Sequence, residues 1–310
     1  EAWRDAQTFA LAEAFQMAQL PKVDSDTRFV EFFADQGEVF AFVLQSGEVV
    51  EHRVGSLESL ARTIRYLRFQ LTRNHLTDGE ETAPFLVELG EMLAPVLADA
   101  PRQLIIGRSA PLDAVPWPAM QVRGQPLFEL HDLALAPSAT VWGAAMARHR
   151  RLGTKHLVTG WADDLAPAIQ QEIAQVAQHL GVSPVPASAL DHLTEPCALI
   201  HLAAHGVVRE DRPLFSAMLL GSESLTAFDI LHRRIAADLV VLSGCTTGVS
   251  VPGDTPDTEG LIEALLAAGT PSVVASLWQV HDEATSRWMD LFYRHRSEGI
   301  PSAYRAACRG

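Results

Sequence analysis

An α/β fold with a mostly parallel sheet is what this sequence predicts, and three observations predict it. In the second half, short apolar runs alternate with longer segments whose apolar residues recur at helical spacing. That is the pattern of strands buried on both faces between covering helices. The first half opens instead with three β-rich runs separated by Gln36-Gly37 and Ser46-Gly47, the turn chemistry of an antiparallel meander. At 310 residues, 48% hydrophobic and 20% charged, the chain has the apolar content for a full core in one large domain or two ordinary ones.

Taken in order, residues 1–20 carry a helical stripe (Phe9, Ala12, Phe15, Leu20) that Pro21 ends. The chain opens at Glu1 rather than Met, which fits a piece of a longer protein, and residues 1–24 read as a connecting helix from an upstream module or as a docking helix. Strands are expected at 28–33, 38–44 and 49–54. Two helices follow. The one at 56–74 has Ser56 as N-cap and Glu58 in its first turn, and the one at 83–98 has Pro84 near its start and Pro95 as a kink or stop. A strand at 103–106 leads into residues 111–118, where proline at three of eight positions excludes regular structure and leaves an ordered loop packing Trp117. The apolar pattern breaks at residues 145–154, in Arg148-His149-Arg150-Arg151 and Gly153, which sets an N-terminal subdomain at 25–150 and a second at 151–310. In the second, strands are expected at 156–159, 198–202, 217–220, 239–242 and 272–277. Helices are expected at 166–180, 227–233, 258–268 and 283–295, with Gly269 as a C-cap.

The net charge of −14 argues against a nucleic-acid surface, because affinity for phosphates rests on clustered Lys and Arg. No apolar run reaches the length of about 18 residues that a membrane span needs, and no signal-peptide pattern opens the chain. Three cysteines at unrelated spacings make neither a disulfide framework nor a zinc site, so a reducing, cytoplasmic setting is expected.

The chemistry gathers at two strand ends. Ala198-Leu199-Ile200-His201-Leu202 runs into Ala203-Ala204-His205-Gly206, and Leu239-Val240-Val241 runs into Leu242-Ser243-Gly244-Cys245-Thr246-Thr247-Gly248. Open α/β sheets place functional groups at the carboxyl edge of their strands, so His205 and Cys245 share that edge. A thiol becomes a nucleophile as the thiolate, and a neighbouring histidine supplies the base. Gly206 and Cys245 offer backbone N–H groups for a developing oxyanion. Alone, a cysteine after a buried strand is commonly an inert core residue; the ordered pair of strand ends turns the balance toward function. His201 lies within its strand and reads as structural, Cys197 and Cys308 likewise, while His281 sits at the functional edge as a possible pocket residue. A zinc site of His201, His205 and Cys245 is disfavoured, since four residues of strand separate Cα atoms by roughly 13 Å. No cofactor or metal is expected.

These residues resemble the CHAT family of caspase-like cysteine peptidases, relatives of caspases, gingipains and separase. The likeness rests on His201–Gly206 and Leu242–Gly248. It continues through Thr258-Glu259-Gly260-Leu261, residues 268–278 and Val280-His281-Asp282-Glu283-Ala284-Thr285, and earlier through residues 111–117 and 135–139. It implies a caspase-type sheet in the catalytic subdomain, 151–310, preceded by a degenerate, non-catalytic partner subdomain. It places the catalytic dyad on His205 and Cys245, the oxyanion on the N–H groups of Gly206 and Cys245, and expects no third triad member. The sequence departs at Gly244, where alanine is usual, and at His281, where an acidic residue is common. The first specificity pocket is assigned to segments carrying Asp254, Asp257, Glu259, Trp278 and Asp282, and the four carboxylates there favour a basic P1 residue, Arg or Lys; the competing account is a solvated acidic surface. Family membership implies a protein substrate, an activating partner or upstream repeat or sensor module, and a role in bacterial defence or regulated cell death. Pro252–Thr258 reads as a loop suited to an activating rearrangement. The rival function is a caspase-like interaction scaffold without turnover.

Overall fold

The computed structural model describes residues 21–73, 80–109, 112–113, 115–147, 153–193, 196–209, 211–244, 260–277 and 280–310. Contacts divide the chain into one unit that ends at Gly143 and another that runs from Ala144 to Gly310.

In the first unit, β1 (Thr27–Asp35), β2 (Glu38–Gln45) and β3 (Glu48–Ser56) form the expected antiparallel meander. Gln36, Gly37, Ser46 and Gly47 all take positive φ in the two hairpin turns, as two-residue loops of this kind require. Ser56, the last residue of β3, turns its hydroxyl to the Ser59 N–H and so caps α1 (Leu57–Arg73). Helix α2 (Ala83–Leu97) continues through Pro95 for two more residues instead of ending there. Strands β4 (Gln103–Gly107) and β5 (Asp132–Ala136) add parallel to β1, giving the order β3-β2-β1-β4-β5. The sequence reading did not include β5 or the following α3 (Ala139–Ala147). Val30, Phe32, Leu104 and Ile106 pack against Leu60, Leu67, Leu89 and Leu93 of the helices. Trp117 is buried in this core and stacks on Phe32 at 5.7 Å, as expected, but it opens a 3-10 turn, Trp117–Ala119, where no regular structure was expected.

The second unit is built on a four-stranded sheet of β6 (His156–Gly160), β7 (Cys197–Ala203), β11 (Ala237–Ser243) and β12 (Val273–Ala275). All are parallel, in the order β12-β11-β7-β6. Alternation along the strands feeds two cores. Leu157, Ile200, Leu202, Val240 and Leu242 face one side, packed with α5 (Ala227–Arg233) and α6 (Leu261–Ala268). Val158, Leu199, Ala203, Leu239 and Val241 face the other, packed with α4 (Ala168–Leu180), α7 (Asp282–His295) and α8 (Ile300–Arg309). Both faces are covered, which is why these strands read as continuous apolar runs. A separate antiparallel sheet joins β8 (His205–Val207), β9 (Ala217–Leu220) and β10 (Glu223–Thr226).

Most elements lie within a few residues of the expected bounds, and two helix starts have a local cause. Helix α4 starts at Ala168, two residues late, because Pro167 takes the N-cap position, where its missing N–H costs nothing. Helix α6 is described from Leu261, after Gly260, whose N–H bonds Glu263 Oε2 at 3.2 Å, and Gly269 closes it with φ 112°; Thr258 and Glu259 lie outside the described residues.

Candidate active site at three paired strand ends

The parallel register brings three strand ends to one line: Gly160 pairs with Ala203, and Ala203 with Ser243. The pairing extends one step beyond the strands, since Trp161 N–H donates to Ala203 O at 2.9 Å and Ala204 N–H to Ser243 O at 3.0 Å. Glycine is required at 160, because a Cβ there would stand 2.1 Å from Ala203 O. On the far side, the Ser276 hydroxyl donates to Gly244 O, tying the residue after β11 to the end of β12. His205 therefore follows Ala203 by two positions, and Cys245 follows its register partner Ser243 by the same two.

After a bend at Ala204 the chain enters β8, where His205 pairs with Leu219 and Gly206 with Met218. The His205 side chain is 31% exposed, and its Nε2 lies 3.0 Å from Asp163 Oδ1. A carboxylate can only accept, so the ring carries its proton on Nε2 and keeps Nδ1 as its basic nitrogen. Asp163 also accepts from Leu165 N–H at 2.9 Å and Ala166 N–H at 3.2 Å, which fixes its carboxylate at the turn leading into α4. The His205 hydrogen bond, reinforced by these N–H groups, holds the Asp163 carboxyl below the usual carboxylate range. Trp161 lies across Gly221, φ 79°, so closely that a Cβ at that glycine would meet its ring at 2.8 Å.

Cys245, Asp254, Asp257, Glu259 and Trp278, with the whole Pro252–Thr258 loop, lie outside the described residues. Asp282 opens α7 directly after the exposed N-cap residue His281, whose carbonyl accepts from Thr285 N–H at 2.9 Å and Thr285 Oγ1 at 2.8 Å. His201 is fully buried: Nδ1 meets Tyr293 Oη at 3.0 Å, and Nε2 stands 3.1 Å from Glu172 Oε1, not aligned for a hydrogen bond. That is the expected structural histidine, and its ring belongs to the core rather than to a metal. Cys197 is buried and its thiol pKa is pushed up by that burial, the reverse of what a nucleophile needs. Among the described residues, no group of three His, Cys, Asp or Glu side chains is placed to hold a metal ion. No helix of the described residues is long and apolar enough to cross a membrane.

Asp163 is the site residue that the sequence reading missed. Its signal was there: the strand ending at Gly160 runs parallel to the other two, so Trp161-Ala162-Asp163 leaves the same edge as His205.

A parallel sheet covered on both faces, with a histidine–carboxylate pair at its carboxyl edge, defines an α/β protein with its candidate site at the functional edge of the sheet. The CHAT domain model matches residues 84–307, more than half of the chain, and the chain belongs to that family. Its fold is similar to chains of the Saccharomyces cerevisiae separase–securin complex. One solved structure gives a TM-score of 0.59 at 9% identity, covering 93% of this chain and 29% of that one. A second gives 0.55 at 10% identity, covering 97% and 29%. The chain thus spans less than a third of the length of those relatives. No curated protein matches it.

Proposed function

We propose that the chain is the peptidase portion of a regulated cysteine endopeptidase, with His205 and Cys245 as the reacting pair. The observation that carries this is the register of Ala203 with Ser243, which sends the two residues off adjacent parallel strands at equal offset. Neighbouring strands run about 4.8 Å apart, so the paired ends Ala203 and Ser243 stand side by side, which supports one shared site for the segments that leave them. Membership of the CHAT family supports the same reading.

In the proposed reaction, Nδ1 of His205 takes the thiol proton, and the Cys245 sulfur adds to the scissile carbonyl carbon. The Gly206 and Cys245 N–H groups stabilise the oxyanion. As the C–N bond breaks, the imidazolium returns its proton to the leaving amine, and a thioester remains. The imidazole then takes a proton from water, the hydroxide adds to the thioester, and the acid product leaves as sulfur recovers its proton. Asp254, Asp257, Glu259, Trp278 and Asp282 are assigned to the first specificity pocket, which would take Arg or Lys. We place the activity in the cytoplasm, in bacterial defence or regulated cell death, under control of an activating partner or an upstream repeat or sensor module.

The test is cleavage of a diverse peptide library by the protein and by Cys245→Ala, each with and without cell extract as a source of activator. Cleavage lost in the variant, with Arg or Lys before each cut, is the expected result. Cleavage that survives Cys245→Ala overturns the assignment of the nucleophile, and no cleavage under either condition overturns the peptidase reading in favour of a scaffold.

A further inference from the structure

The third strand end carries a role of its own. A histidine that must take a proton at one nitrogen works best when the other is committed to a fixed acceptor, because the neutral ring otherwise divides between two tautomers. His205 has such an acceptor in Asp163, at 3.0 Å. The carboxylate is not a passing surface contact. It is held by two backbone N–H groups of its own turn, and that turn is pinned at its start by the Trp161 N–H bond to Ala203 O and by the Trp161 ring on Gly221. Gly160, where no Cβ fits, lets the turn leave its strand against the strand that delivers His205.

An ion pair 31% and 39% exposed on its two sides contributes little to folding, so stability does not account for this much scaffolding. Resting on the peptidase reading above, we propose that Asp163 is a positioning residue of that site. It holds His205 in the Nε2–H tautomer and leaves Nδ1 as the base for the Cys245 thiol. Asp163 itself neither touches substrate nor changes protonation during turnover. Its charge also favours the imidazolium that forms between the two proton transfers.

The test compares Asp163→Asn and Asp163→Ala with the parent protein, using a peptide cut in a Cys245-dependent way, and adds 15N spectra of the His205 ring in the Cys245→Ala background. Asp164→Asn is the control, since its carboxylate is one residue away and not bonded to the histidine. Asp163→Ala should lower kcat about 100-fold with KM within about twofold, and should replace the single Nε2–H signature with a mixture. Asp163→Asn should fall between Asp163→Ala and the parent, because an amide oxygen can still accept the bond without the charge. Asp164→Asn should match the parent throughout. Unchanged kcat in Asp163→Ala, or an equal loss in Asp164→Asn, overturns the proposal while leaving the peptidase intact. If nothing is cleaved, the peptidase reading fails separately and the spectra decide the contact: a His205 signature unmoved by Asp163→Ala overturns the positioning role.

Discussion

His201 and His205 lie four residues apart on one continuous run, and the structure assigns them opposite consequences on mutation. The His201 side chain is 0% exposed and the Glu172 side chain 1% exposed. The Tyr293 hydroxyl, kept protonated by its burial, is hydrogen-bonded to His201 Nδ1 at 3.0 Å, while Nε2 stands 3.1 Å from Glu172 Oε1 without a hydrogen bond. His201→Ala leaves the buried Tyr293 hydroxyl without its partner. A buried polar group left unsatisfied costs about 1–3 kcal/mol. In a domain of this size that lowers Tm by roughly 2–12 °C. Replacing both partners by apolar residues, His201→Leu with Tyr293→Phe, removes the stranded hydroxyl and should recover most of the loss. His205→Ala instead removes a ring that is 31% exposed from a partner that is 39% exposed, a solvent-screened contact that contributes little to folding. Urea denaturation and differential scanning calorimetry of the four proteins, run beside peptide cleavage, separate the effects. A loss below about 1 kcal/mol in His201→Ala would falsify the stranded-hydroxyl account. An equal loss in His205→Ala would remove the distinction between the two histidines.

Three further outcomes follow from the same geometry. Gly160→Ala forces a Cβ to 2.1 Å from Ala203 O, so β6 and β7 must part at their ends; the expected cost is about 1–3 kcal/mol with at least a tenfold drop in cleavage, and wild-type turnover in this variant contradicts the close approach. Burial pushes the Cys197 thiol up, with Lys155 opposing only in part, so at pH 7 iodoacetamide should leave Cys197 unmodified in the folded protein and label it after denaturation; mass spectrometry of the tryptic peptide reads this, and labelling in the fold refutes it. The Asp163 carboxyl has a folded pKa below its ordinary 3.8. Its contribution to stability is therefore fully present above that ordinary value and is lost as pH falls through the lower folded one. A 13C titration of the Asp163 side chain should show it ionised throughout the mildly acidic range, and a midpoint at or above 3.8 would contradict the bond.

Local chemistry explains which parts of this architecture could be read from sequence. The hairpin turns were legible because Gln36-Gly37 and Ser46-Gly47 need positive φ, which side-chain type announces. The core strands were legible because burial on both faces leaves an unbroken apolar run. The short strands β8 and β10 were not, since three or four residues joined across 205–226 carry too few side chains to show a period. At Pro95, packing of Leu89, Leu93, Val96 and Leu97 in the core keeps α2 helical to Leu97, close to the expected end at 98, past a residue that usually stops a helix. His205 was found because its neighbours form a recognisable strand end. Asp163 was missed because nothing local marks an acidic residue in a turn as the partner of a histidine 42 positions later.

The bend at Ala204 is what makes two roles from one strand. Under strict alternation, residues 199, 201, 203 and 205 would all project to the same face, the face that buries Leu199, His201 and Ala203 against α4 and α7. A histidine at 205 on an unbroken strand would then share the fate of His201, committed to the core and unable to exchange protons with a substrate. Ending the parallel pairing at Ala203 and starting the antiparallel pairing at His205 breaks the alternation within two residues. The Ala204 N–H, held by Ser243 O, keeps the bend from loosening its grip on β11. His205 is thus lifted to partial exposure while the backbone just before it stays fastened to β11. Such a site needs the paired sheet below for position and the break above for access, and Ala204, with no exposed surface, is where the two requirements meet.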